Sequence, residues 1–224
     1  MVSKRDDVYE QLRNAILRGG MRPGDVISER EVAQSLGARR VPLREAVIQL
    51  ERDGLVMVVP RRGAFVRTFT AVELQHLYEL REAVEGLAAA RAAVRLPPAE
   101  MTPHIRAFRS ELRAKRLDPV ASERLGVDFH EAVLQGCGNP LVAETSVRIR
   151  DQVQLAKRTS YRHADAEWLR RGAQEHLDIA EAVASGDSAE AERQMKSHIA
   201  GWSRYFRSQL DDYRSVPGEL GSAR

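Results

Sequence analysis

The stretch from Ser28 to Arg67 constrains this chain more than any other. Ser28-Glu29-Arg30-Glu31 fits a capping box, with Ser28 as N-cap and Glu31 reaching back to it. The helix it opens runs through Val32, Ala33 and Leu36 to Gly37, a left-handed stop. After Ala38-Arg39-Arg40-Val41, Pro42 suits the first turn of a further helix. Leu43, Ala46, Val47 and Leu50 form its buried stripe, Gly54 ends it, and Arg44 falls on a different face, toward solvent. Leu55–Val59 is then a β-branched run, Pro60-Arg61-Arg62-Gly63 a turn, and Ala64–Arg67 a return strand. A two-stranded ribbon is marginal in water, so this one must lie on the helices. The order of elements predicts a winged helix-turn-helix. A preceding helix, capped by Asp6 or Asp7 and carrying Val8, Leu12, Ala15 and Ile16, ends at Gly19-Gly20 before a Pro23-Gly24 turn.

Arginines at the start of the second helix of such a pair have a use. They pair bidentately with guanine O6 and N7 in the major groove, while their neighbours and the wing hold phosphates. Arg39, Arg40 and Arg44 sit there, with Arg61 and Arg62 at the wing tip. The competing reading is a solvated basic face. Charge distribution favours the first: residues 1–69 hold 13 Lys/Arg against 9 Asp/Glu, and residues 70–224 hold 22 against 23. The positive excess therefore sits with the helix-turn-helix.

The length of 224 residues accommodates two modest domains. Thr70-Ala71-Val72-Glu73 repeats the capping box and opens a long helix with Leu74, Leu77, Tyr78, Val84, Leu87 and Ala88, broken at Pro97-Pro98. Further helical patterns cover 103–116, 119–135, 140–159, 165–185 and 188–213, and no strand pattern follows residue 67. The fold expected is mainly α, a winged helix-turn-helix over 1–69 followed by an all-α bundle of six or seven helices over 70–213, with a flexible tail over 214–224. The lone Cys137 reads as a small buried apolar residue and suits a reducing cytoplasm. No apolar run approaches the roughly 20 residues of a membrane span.

Three of the six histidines, His130, His176 and His198, fall inside the helical patterns, whereas His76, His104 and His163 read as surface or loop residues. His176 and His198 lie on successive helices beside apolar stripes, so an antiparallel pairing would bring them together. Three imidazoles are the start of a Zn²⁺ or Ni²⁺ site, or else core histidines satisfied by hydrogen bonds. Arg81 is either a buried cation for an anionic ligand or an ion pair with Glu85 at i+4. Asn139 before Pro140 reads as a helix cap.

The motifs Pro23-Gly24, Ser28 through Ala33, Gly37 through Val47, Arg52-Asp53-Gly54-Leu55 and Arg62 through Val66 resemble the DNA-binding domain of GntR-family bacterial regulators. Tyr78 through Ala93, Phe129-His130, Gly138-Asn139-Pro140 and His176 through His198 resemble the FCD ligand domain of the FadR subfamily. The resemblance implies a homodimer on a pseudo-palindromic DNA operator, with contacts from Arg30, Arg40, Arg44 and Gly63. Arg39 stands where the family usually has a phosphate-contacting Ser or Thr. It also implies a small organic-acid effector, with Arg81 toward the cavity, and a divalent metal held by one Asp and three His. The histidines match His130, His176 and His198, but Gly126 stands at the Asp position. Asp128 would point to another helix face, and Glu123 is two turns away.

The expectation is a cytoplasmic DNA-binding regulator, more in keeping with a repressor, and not an enzyme. Two readings compete with it: a metal-dependent hydrolase or lyase built on the histidines, and a sensor for which the metal itself is the signal.

Overall fold

The computed structural model describes residues 4–36, 40–158 and 165–214. Gly37, Arg39, His163 and residues 215–224 of the tail lie outside the described residues, as does the side chain of Arg40. The fold divides into two compact units, Met1–Leu74 with Arg148–Ser160, and Gln75–Val147 with Tyr161–Arg224.

The first unit opens with α1 (Lys4–Arg18), β1 (Val26–Ile27), α2 (Glu29–Leu36) and α3 (Arg40–Arg52). β2 (Val56–Val59) and β3 (Gly63–Val66) complete its sheet. α1 starts before Asp6 and Asp7, so neither is the cap expected from sequence. Gly19 and Gly54, at φ 94° and 72°, stop α1 and α3 in the left-handed region. Ser28 caps α2, its Oγ accepting from the Glu31 N–H at 3.3 Å.

The sheet has three strands in the order β1-β3-β2, all antiparallel, rather than the two expected. Val26 pairs with Phe65 and Ile27 with Ala64. A two-residue strand carries no period of its own, so only the pairing reveals it. Leu12, Ile16, Leu43, Leu50, Leu55 and Val66 fill the core, together with Leu155 from a distant helix, α7 (Pro140–Lys157).

The end of α7 is bound into this unit by polar contacts as well. Arg13 donates from Nε and Nη2 to the two oxygens of Asp151, at 2.6 and 2.7 Å. Gln152 donates to the Asp53 carbonyl at 2.9 Å, and Arg158 to the Leu17 carbonyl at 3.0 Å. These last two acceptors lie at the C-terminal ends of α3 and α1, where carbonyls lack intrahelical partners.

The second unit is helical: α4 (Ala71–Arg95), α5 (Pro98–Arg113), α6 (Pro119–Gly136), the first part of α7, α8 (Ala166–Ser185) and α9 (Ser188–Arg214). Thr70 and Glu73 close both halves of the capping box on α4. α5 starts at Pro98 rather than 103, because a proline at the first helical position gives up an N–H the helix does not need. Asp118 and Asp165 cap α6 and α8, and Asn139 accepts from the Leu141 N–H at the start of α7. α8 lies at the centre, packed against α5, α6 and α9. Phe108, Phe129, Ile179 and Met195 fill the space between. Cys137 is fully buried.

Leu155 tests whether α7 is integral to the first unit. Leu155→Ala should cost about 2–5 kcal/mol of that unit's stability. Hydrogen exchange should show protection lost in α1 and α3 and kept in α8 and α9.

Candidate nucleic-acid interface and metal centre

In the first unit the exposed face of α3 carries Val41, Arg44 and Ile48, spaced three and four residues apart. The opposite stripe, Leu43, Ala46, Val47 and Leu50, is buried, which fixes the rotation of the helix. Sequence reading marked Arg44 but passed over Val41 and Ile48, which are 68% and 48% exposed. Apolar side chains left on the outer face of a reading helix suit contact with thymine methyls. Arg30, in the first turn of α2, is exposed as well.

The tip of the wing, Arg61, Arg62 and Gly63, is exposed throughout. Arg61 has φ 64° and Gly63 φ 103°, and no atom lies within 4 Å of where a Gly63 side chain would begin. Gly63 therefore leaves its backbone open to a ligand, while the reversed conformation lets the two strands pair.

In the second unit His130, His176 and His198, from α6, α8 and α9, converge in the interior. One nitrogen from each lies within 4.8 Å of the others, the sole such group of metal-ligating side chains among the described residues. The Nε2 atoms of His130 and His176 are 3.2 Å apart, and the rings of His176 and His198 have centroids 4.4 Å apart. Phe108 stacks on His176, and Phe129 meets both His130 and His176. Trp202 stands 6.4 Å from His198.

Two carboxylates reach the cluster from behind. Glu85 Oε2 is 2.6 Å from His130 Nδ1, and Glu175 Oε2 is 2.9 Å from His198 Nδ1. A carboxylate at Nδ1 keeps the proton there and leaves the Nε2 lone pair for a ligand. Glu85 is itself paired with Arg81, whose Nε is 2.6 Å from Oε1. Arg81, one of two ways open in the sequence, thus forms an ion pair with Glu85, but a buried one.

Burial would raise the Glu85 carboxyl, yet the charge of Arg81, the neighbouring His130 and the hydrogen bonds from both together outweigh burial and hold it well below the usual range. Burial pushes His130 down to about 4, against the pull of Glu85. It lowers His176 and His198 too, the latter against Glu175. All three imidazoles are neutral at pH 7, with lone pairs to offer.

This donor set fits a divalent metal of the Zn²⁺ or Ni²⁺ type: three neutral imidazoles, two of them oriented by carboxylates. Gly126 contributes nothing to it. A side chain there would begin 2.9 Å from His176 Cε1, so the imidazole fills the space a residue at 126 would use. Asp128 is 59% exposed on another face and pairs with Arg124, and Glu123 is exposed. His76 is exposed, while His104 is half-buried with its ring 5.8 Å from Phe129. In the sequence Glu85 stands out only as a partner for Arg81, and Glu175 not at all, because charged residues are so often surface residues. The available clue was that a buried imidazole needs a partner at its second nitrogen.

Two family models match. The model for bacterial regulatory proteins of the gntR family covers residues 4–66, and that for the FCD domain covers residues 76–201. An uncharacterized HTH-type transcriptional regulator from an unstable DNA locus of Streptomyces ambofaciens is 33% identical over 88% of this chain and 82% of its own length. The HTH-type transcriptional repressor RspR of Escherichia coli K12 is 28% identical over 93% of this chain and 92% of its own. Among solved structures, E. coli McbR/YncC superposes with a TM-score of 0.73 at 18% identity, covering 94% of this chain and all of that one. A putative GntR regulator from Rhodococcus sp. RHA1 gives 0.71 at 22%, covering 92% and 99%. The last two are likenesses of fold.

The histidines give a pH dependence. Their pKa values are lower in the folded chain than the ordinary 6.5, so the unfolded chain takes up protons first as pH falls. Their contribution is therefore present above pH 6.5 and is lost progressively toward pH 4. In metal-free protein the urea midpoint should fall steadily from pH 7 to pH 5. A flat midpoint would mean that the three rings are not held neutral.

Proposed function

The chain belongs to the GntR family of bacterial regulatory proteins and carries an FCD domain, and on that premise we propose a homodimeric repressor controlled by a small organic acid and a divalent metal. That it is a transcriptional regulator rather than an enzyme follows from the family and its relatives. The observation that carries the finer reading is the pairing, in one chain, of an exposed arginine-bearing helix and wing with a buried cluster of neutral imidazoles. The first suits a polyanion, the second a metal and its ligand.

In this reading residues 1–69 are the reading head and residues 70–213 the sensing and dimerising part, acting on DNA in the cytoplasm. Arg40 and Arg44 reach base edges, with Arg39 beside them. Arg30, Arg62 and the Gly63 backbone set register on phosphates. Repression is favoured by the relative that bears that name. His130, His176 and His198 hold the metal, which supplies a Lewis-acidic anchor for the effector's carboxylate. Glu85 and Glu175 orient His130 and His198. Arg81, assigned to the effector on resemblance, acts here through Glu85. The effector acts only through its different affinity for the DNA-competent and DNA-released arrangements.

Dimerisation is supported by an apolar stripe left open on α4. Leu80, Leu87 and Val94, seven residues apart, are 49%, 46% and 73% exposed, with the exposed Ala83 between the first two. A two-fold pair of chains would also match a palindromic site.

Two measurements test this. Arg44→Ala should weaken operator binding by about 1–3 kcal/mol with unchanged unfolding, and Arg62→Ala should lower the slope of log affinity against log salt by about one. Full affinity in both variants would remove this interface. Leu87→Asp should shift the sedimentation mass from dimer toward monomer, and a dimer that persists would exclude the α4 stripe.

A further inference from the structure

We propose that Val41 and Ile48 are specificity-determining residues of the reading helix, each packing on the 5-methyl group of a thymine, one on either side of the base pair that Arg44 contacts. The inference rests on α3 as the reading helix and adds an apolar half to what that helix reads.

Folding gives no reason for these two side chains. Both stand out from α3 into solvent. Valine and isoleucine are stiff at χ1 and are poorer helix formers than arginine, glutamate or glutamine. The other exposed side chains of α3 among the described residues are of that better kind: Arg44, Glu45, Gln49, Glu51 and Arg52. One exposed apolar residue would call for no explanation. Two of them, with Arg44 one turn from each, form a line along the helix. Seven residues are close to two turns, so Val41 and Ile48 leave the helix in nearly the same direction. That direction lies opposite the buried stripe of Leu43, Ala46, Val47 and Leu50. It faces the floor of the major groove when the helix docks with its core side toward its own domain.

The floor of that groove offers one apolar feature, the thymine methyl; the remaining base-edge features are hydrogen-bond donors and acceptors. Against a donor or acceptor, Val41 or Ile48 would strip water from a polar group and return no hydrogen bond. Against a methyl, both partners leave water with nothing lost. The spacing agrees. Along the helix axis Arg44 is about 4.5 Å from Val41 and about 6 Å from Ile48, at 1.5 Å per residue. Those intervals are between one and two base pairs at a rise of about 3.4 Å. The arginine supplies the polar contact, and the two methyl contacts separate T·A from C·G beside it.

The test uses the full chain and duplexes that it selects from a random-sequence pool. Thymines of the selected site are replaced one at a time by deoxyuridine, which lacks the methyl and keeps the Watson–Crick hydrogen bonds. Uracil should weaken binding about 4-fold per methyl contact at two positions, flanking the base pair where Arg44→Ala loses discrimination. The penalty at one position should vanish in Val41→Ala, and at the other in Ile48→Ala. Both substitutions are at exposed positions and leave the fold intact. Uracil tolerated at every position would overturn the proposal, even if the two variants bind more weakly. Uracil penalties unchanged in both variants would also overturn it, since other residues or the shape of the duplex would then read the methyls. Failure of the chain to enrich any sequence would instead remove the assignment of α3 as a reading helix, and the proposal with it.

Discussion

The interior of the helical unit depends on a run of buried charge and imidazole that begins with the Arg81–Glu85 pair. Breaking a buried ion pair on one side leaves an uncompensated charge, so both partners are fixed where they stand. Glu85 in turn meets His130, His130 faces His176, and His176 packs against His198, whose far nitrogen is held by Glu175. Four helices are tied together this way, α4, α6, α8 and α9. The aromatic rings of Phe108 and Phe129 close around the imidazoles and keep them neutral. The same features that make this a rigid core make it a set of aimed lone pairs.

The reading head has a different logic. Its own hydrophobic core is small, and Leu155 from α7 completes it. Arg13–Asp151 and the amide and guanidinium contacts to the Asp53 and Leu17 carbonyls anchor that helix to the C-terminal ends of α1 and α3. Since α3 carries the outward-facing Val41, Arg44 and Ile48, whatever fixes its end also fixes how those side chains are presented. The last turns of α7, from Arg148, belong to this unit.

Much of the reading head was legible in the chain. The capping boxes at Ser28 and Thr70, the glycine stops at Gly19 and Gly54, the buried stripe of α3 and the reversed turn at Arg61 are local devices, governed by residues a few positions apart. The third strand was not legible, because two residues carry no alternation and its partner is some forty residues away. Pro98 looks in sequence like a break, although a proline at that position also starts a helix. In the helical unit, three of the six histidines stood out by position in their helices, and the convergence of His176 and His198 followed from antiparallel neighbours. Their carboxylate partners did not stand out as such: Glu85 offers itself only to Arg81, one turn away, and Glu175 looks in sequence like any glutamate on a helix.

What the sequence by itself determined is therefore the set of elements, the outward basic face of the reading helix, and which histidines are inside. Those follow from periodicity, caps and turn chemistry, all of short range. Only the tertiary structure decided that the Arg81–Glu85 pair is buried and reaches His130, that Gly126 yields its space to His176, and that Leu155 belongs to the core of the reading head. Each depends on residues brought together from distant parts of the chain, or on which of two partners a buried charge finds. Burial makes those choices strict, because an unpaired charge or an empty volume inside a protein costs more than any local preference returns.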